Sequence, residues 1–147
     1  MMSSEKVTVE KKLWLVAFDD SAIARHALRT AIELANSGGD DVVAVSIVPT
    51  FTKAADSLEA KTKMEQAIKE FQRLSPLSKI SIRIETTNDD PAEVFLNVAA
   101  ELKADVAVFG KRNLSGWEKL VSSSFSSAVL QKTTIPIVVV PEPEPTQ

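Results

Sequence analysis

The stretch Val106-Ala-Val-Phe-Gly-Lys-Arg-Asn-Leu-Ser-Gly-Trp-Glu-Lys-Leu-Val-Ser-Ser-Ser-Phe-Ser-Ser127 carries the architecture in miniature. Val106 to Phe109 is a short apolar strand. A polar loop follows, and Ser124 to Lys132 has the composition of a helix. In α/β proteins a loop between a strand end and a helix start is where phosphates are held, because free N–H groups and the helix dipole both favour negative charge. Lys111 and Arg112 open this loop and a serine cluster, Ser122 to Ser127, closes it. Asn113 and Ser123 stand where a phosphate cradle would place glycine.

Outward from this loop, strands and helices alternate. Leu13 to Phe18 is a continuous apolar run, the pattern of a strand buried on both faces. Asp19-Asp20-Ser21 ends it. Ala22 to Asn36 has helical spacing, with Ile23, Ala27, Leu28, Ala31, Leu34 and Ala35 as its apolar stripe, and Gly38-Gly39 as its stop. Val42 to Val48 predicts a second buried strand, and a polar linker runs from Pro49 to Asp56. Ser57 to Leu74 predicts a charged amphipathic helix with Leu58, Met64, Ile68 and Phe71 inward. Ile80, Ile82 and Ile84 alternate with polar residues, as in a strand with one exposed face near a sheet edge. Asp90-Pro91-Ala92-Glu93 is a helix start: Asp90 caps, Pro91 takes the first turn and Glu93 reaches back. That helix is expected to end near Leu102. Ile135 to Val140 is the last strand, and Pro136 places it at an edge. Alternation of this kind predicts an α/β fold: an open five-stranded parallel sheet with helices on both faces, Rossmann-like, and a ligand site beyond the carboxyl ends of the strands.

The bulk numbers bound the function. With 147 residues, 44% hydrophobic, 25% charged and a net charge of −3, the chain fits one globular domain without bulk affinity for nucleic acid or anionic membranes. The expected divisions are a flexible N-terminal segment over 1–12, one domain over 13–141 and a disordered tail over 142–147, Glu-Pro-Glu-Pro-Thr-Gln. There is no cysteine, so disulfides, thiolate metal sites and cysteine nucleophiles are excluded. Met1 to Lys12 lacks a signal-peptide core and no apolar run approaches a membrane span, so a cytoplasmic location is expected. The single histidine, His26, is read as a surface residue, and no metal site is expected. Trp14 falls in a core strand, and Trp117 is read as packing over its loop. Neither a Ser-His-Asp set nor a Walker lysine is visible, so an enzyme is not expected beyond slow hydrolysis of a bound nucleotide.

Four segments, in this order and spacing, resemble the universal stress protein family. Val16-Ala17-Phe18-Asp19-Asp20-Ser21 is similar to the family's strand ending in Asp-Gly-Ser. Asp89-Asp90-Pro91-Ala92-Glu93 is similar to its Gly-Asp-Pro-Ala-Glu. Ala104 to Gly110 resembles its Ala-Asp-Leu-Ile-Val-Met-Gly, and Ile135 to Val140 its closing Cys-Pro-Val-Leu-Val-Val. The resemblance implies strand order 3-2-1-4-5, an adenine nucleotide alpha hydrolase-like fold, and a homodimer through the last strand, Ile135 to Val140. It also implies a stress-response module holding ATP or AMP, with Mg²⁺ only beside ATP. The implied nucleotide-binding residues are Ala17, Phe18 and Asp19 on the first strand's end and Ile47 on the second's. On the loop they are Gly110, Lys111, Arg112, Asn113, Ser123, Ser124, Phe125 and Ser126. Of the three glycines of the family's nucleotide motif, Gly110 matches the first, while Asn113 and Ser123 stand at the others. Asparagine tolerates positive φ, and a strained φ would cost on the order of 1 kcal/mol. Ser123 adds a Cβ where a backbone meets phosphate. The family also has a branch that lacks the glycines and does not bind ATP, which the run Trp117 to Ser124 resembles. Two functions therefore stand open at this point: a nucleotide-responsive module, and a non-nucleotide stress-response dimer acting through an unknown protein partner.

Overall fold

The computed structural model describes residues 10–19, 21–36, 39–51, 53–111 and 124–143. Five strands and four helices alternate: β1 (Leu13–Ala17), α1 (Ala22–Asn36), β2 (Asp41–Pro49), α2 (Ala54–Gln72), β3 (Ile80–Thr87), α3 (Pro91–Leu102), β4 (Val106–Lys111), α4 (Ser124–Lys132) and β5 (Ile137–Pro141). All four pairings are parallel, in the order β3-β2-β1-β4-β5, as expected. The central register sets Val16 opposite Ala44 on one side and opposite Val108 on the other.

Period-two alternation in the strands divides the core into two layers. Val16, Val42, Ala44 and Val108 face α1 and α2, packing on Ala27, Leu28, Ala31, Met64 and Phe71. Leu15, Val45, Ala107 and Phe109 face α3 and α4, packing on Phe95, Val98, Ala99 and Val129. Two carboxylates clasp the start of β1 from opposite sides. Asp105 Oδ2 accepts from the Leu13 N–H (2.9 Å), and buried Asp40 accepts from the Lys12 N–H and from the Trp14 indole (both 2.9 Å).

Several expectations shift. In α1 the buried stripe is Ala24, Ala27, Leu28, Ala31, Ile32 and Ala35, whereas Leu34 is 47% exposed. That set follows the i, i+3, i+4, i+7 spacing, so Ile32 takes the place assigned to Leu34. Helix α2 starts at Ala54, three residues before the expected start, and Leu58 is 64% exposed; Met64, Ala67 and Phe71 make its buried face. His26 is half-buried rather than on the surface. Asp90 caps α3 by accepting from the Ala92 N–H (3.2 Å), with Pro91 in the first turn. Glu93, expected to complete the cap, instead pairs with Lys132 of α4 (3.5 Å). Helix α3 ends in a left-handed cap, Lys103 at φ 56°.

The two sheet edges differ in kind. On β3, Arg83 pairs with Glu85 of its own strand and with Glu101 of α3. The guanidinium holds the Glu101 carboxyl below its ordinary value. Any stability this gives is therefore present above that ordinary value and lost as pH falls through the lowered one. On β5 the sequence is Ile137-Val-Val-Val-Pro141, starting two residues later than expected. Ala107 N–H donates to Pro136 O, and Glu142 N–H donates to Lys111 O (both 3.0 Å). Even-numbered residues of β5 thus turn their backbone groups to β4, and Ile137 and Val139 turn theirs outward.

Candidate functional site

A cavity of about 980 Å³ opens at the carboxyl ends of β1 and β4. These strands are neighbours with connections leaving in opposite directions, the place where open α/β sheets receive ligands. Its apolar wall includes Val45 and Ile47 of β2, Phe109 of β4, Val139 of β5 and Phe125 of α4. Its polar groups include Asp19, Ser21, Lys111, Ser126 and Ser127.

Each wall follows from local sequence. The β1 run stops at Ala17, and the Phe18 N–H still pairs with Val45 O (2.9 Å), carrying the backbone to the rim. Asp19 Oδ1 accepts from the Ser21 N–H (3.0 Å), and Ser21 Oγ accepts from the Ala24 N–H (3.1 Å). Ser21 is therefore the cap of α1, and Asp19, exposed at the cavity, braces it. Val45 and Ile47, two apart, share one face of β2. Phe125 stacks edge-on against Phe95 of α3 (centroids 5.5 Å) and Phe109 of β4 (6.0 Å). This aromatic cluster fixes the first turn of α4 against the sheet.

Gly110 has a packing reason of its own. A Cβ built on it would lie 2.6 Å from Ile23 Cγ1 and 2.9 Å from the Ile23 carbonyl oxygen. The first turn of α1 fills the space that a side chain would take. The glycine that the sequence offers as part of a phosphate loop is thus required by the contact between β4 and α1.

Of the residues expected at the site, Ala17, Phe18, Asp19, Ile47, Gly110, Lys111, Phe125 and Ser126 line this one cavity. The Phe18 side chain itself is core, 3% exposed. Ser124 starts α4 and is exposed. Arg112, Asn113 and Ser123, like Trp117, lie outside the described residues. Sequence reasoning missed Val45, Phe109 and Val139, which join the wall through strand register. No group of His, Cys, Asp and Glu able to hold a metal is present among the described residues. Nor is any of their helices long and apolar enough to cross a membrane.

The fold agrees with a wider comparison. The sequence model of the universal stress protein family matches residues 13–141. The chain belongs to that family. A universal stress protein of Methanocaldococcus jannaschii is 24% identical over 139 residues, spanning 88% of this chain and 82% of that protein. The structure of a universal stress protein from Archaeoglobus fulgidus is 26% identical with a TM-score of 0.75, over 88% of this chain and 93% of that one. A structure of the universal stress protein from Archaeoglobus fulgidus in complex with dAMP shares the fold, at 22% identity and a TM-score of 0.71, over 90% of this chain and 99% of that one.

Proposed function

We propose that this universal stress protein is a cytoplasmic, non-catalytic binding module whose cleft between β1 and β4 holds an adenine nucleotide, with Mg²⁺ accompanying ATP. Residues 13–141 act as the working unit, flanked by the segments 1–12 and 142–147. The observation that carries the reading is the cavity itself, with a carboxylate and hydroxyls at one side and an apolar wall that suits a flat base. A family neighbour in complex with dAMP supports it. The test is extraction of the purified protein. Chromatography of the denatured supernatant, or calorimetry with AMP and ATP on emptied protein, should reveal an adenine ligand. No bound nucleotide and no heat with either would overturn the reading. The other reading is a dimer acting through protein contacts alone; Gly110 is accounted for by packing against Ile23, so its presence does not separate the two.

Assembly follows from the contrast between the sheet edges. Charge guards β3, and charged side chains are how edge strands avoid pairing. No charged residue stands within β5 itself to guard the outward backbone groups of Ile137 and Val139. We propose that two copies pair antiparallel through β5 about a two-fold axis near Val139, where each Val139 exchanges both backbone hydrogen bonds with the other. Pro141 has no N–H and ends the pairing. A charge at Val139 would be a poor test, because that side chain packs against the core. Val139→Pro removes an outward donor and leaves the β4 ladder intact. It should give a monomer by light scattering with the circular dichroism of the parent. A dimer that survives would place the interface elsewhere.

A further inference from the structure

We propose that the cleft has a second, apolar subsite at its β5 end, where Phe125, Leu130 and Val139 receive a short alkyl or acyl group carried on the phosphate of an adenylate. The proposal rests on the nucleotide reading above and names a part of the ligand which that reading leaves open. The cavity reaches from Val45 and Ile47 on β2, across β1 and β4, to Val139 on β5. Adjacent strands lie about 4.8 Å apart, so three intervals span roughly 14 Å. A volume of about 980 Å³ is at the upper end for small-molecule sites. A base seated at β2, with its sugar beside Asp19, would bring a phosphate to the β4 side and leave the β5 end beyond it. The chemistry of the wall changes in the same direction. Ser126, Ser127 and Leu130 all line the cavity and share one face of α4, at spacings of three and four residues. The two serines are in the first turn, where helix N–H groups and hydroxyls suit an anion, and Leu130 lies one turn further on. Leu130 is 51% exposed whereas its neighbour Val129 is fully buried, so core packing does not account for this leucine. Phe125 and Val139 back the same corner, both packed on the core. Each methylene buried against such a wall is worth up to about fourfold in affinity. A phosphate diester still carries one negative charge for Lys111 to meet.

The experiment is calorimetry on the full chain, emptied of ligand, with AMP and with the methyl and butyl esters of its phosphate. The two esters have the same charge and differ only by methylenes, so the butyl ester should bind roughly tenfold more tightly than the methyl ester. Equal affinities for the esters, or AMP bound and neither ester bound, would overturn the inference and leave the nucleotide reading standing. Silence from all three would overturn both. Leu130→Ser, at a half-exposed position, should bring the two esters within about twofold of each other. A ratio as large as the parent's would also overturn the inference. Light scattering on the same variant should match the parent. A parent dimer that becomes a monomer in Leu130→Ser would show that a second copy covers this corner, and the subsite would fall.

Discussion

Phe95→Ala should lower the unfolding free energy by about 3–5 kcal/mol, the cost of emptying a fully enclosed aromatic site. Phe95 is 0% exposed and stands among Leu15, Val45, Ala107 and Val129, where α3, α4 and the sheet meet. It is also the edge-to-face partner of Phe125. The loss should therefore reach the cleft, because Phe125 would lose one of its two ring partners at the first turn of α4. Urea denaturation of Phe95→Ala, Phe125→Ala and the double variant should give a coupling of about 0.5–1.5 kcal/mol between the rings. Leu58→Ala, on the exposed side of α2, should stay within about 0.5 kcal/mol of the parent. A Phe95→Ala protein as stable as Leu58→Ala would mean that α3 and α4 are not packed as described.

The second large effect is at Gly110. Gly110→Ala forces a methyl group to 2.6 Å from Ile23 Cγ1 and 2.9 Å from the Ile23 carbonyl oxygen. A side chain can turn aside, but a carbonyl in the first turn of α1 moves only with its helix. Overpacking of this kind costs about 1–3 kcal/mol, and a backbone contact sets this case at the upper end. At this chain length that lowers the melting temperature by roughly 6–12 °C. Gly110→Ala combined with Ile23→Ala relieves Cγ1 and leaves the carbonyl, so it should recover only part of the loss. Full recovery would assign the cost to the side chain alone. An unchanged melting temperature for Gly110→Ala would remove the packing explanation and return the glycine to the ligand.

Much of this fold is legible in the sequence because parallel strands are apolar on both faces and stand out as runs. Leu13 to Ala17 and Val42 to Val48 need no other signal, and Asp90-Pro91 announces α3 by capping chemistry alone. Facing was harder to read. Leu34 fits the helical spacing from Ala27 and Ala31 as well as Ile32 fits that from Leu28, and only packing against the sheet shows that Ile32 is buried and Leu34 exposed. Leu58 was misplaced likewise, in a helix whose early turns face away from the sheet. At the site, loop residues such as Asp19 and Lys111 were visible as polar groups at strand ends. Val45, Phe109 and Val139 were not, since their part in the wall depends on which strands are neighbours and in what register. Gly110 was read for one role where the structure adds a second. Its sequence context suggests phosphate, and only the approach of α1 reveals the contact it serves.

The central claim is that an adenine ligand occupies the cleft between β1 and β4. Amide chemical-shift mapping of the isotope-labelled chain during titration with AMP tests it most directly. Saturable shifts are expected at Asp19, Ile47, Lys111 and Ser126, which line one cavity although they are far apart in sequence. Residues on the far edge, such as Arg83, should not move. Shifts confined to other surfaces, or none at millimolar AMP, would contradict it.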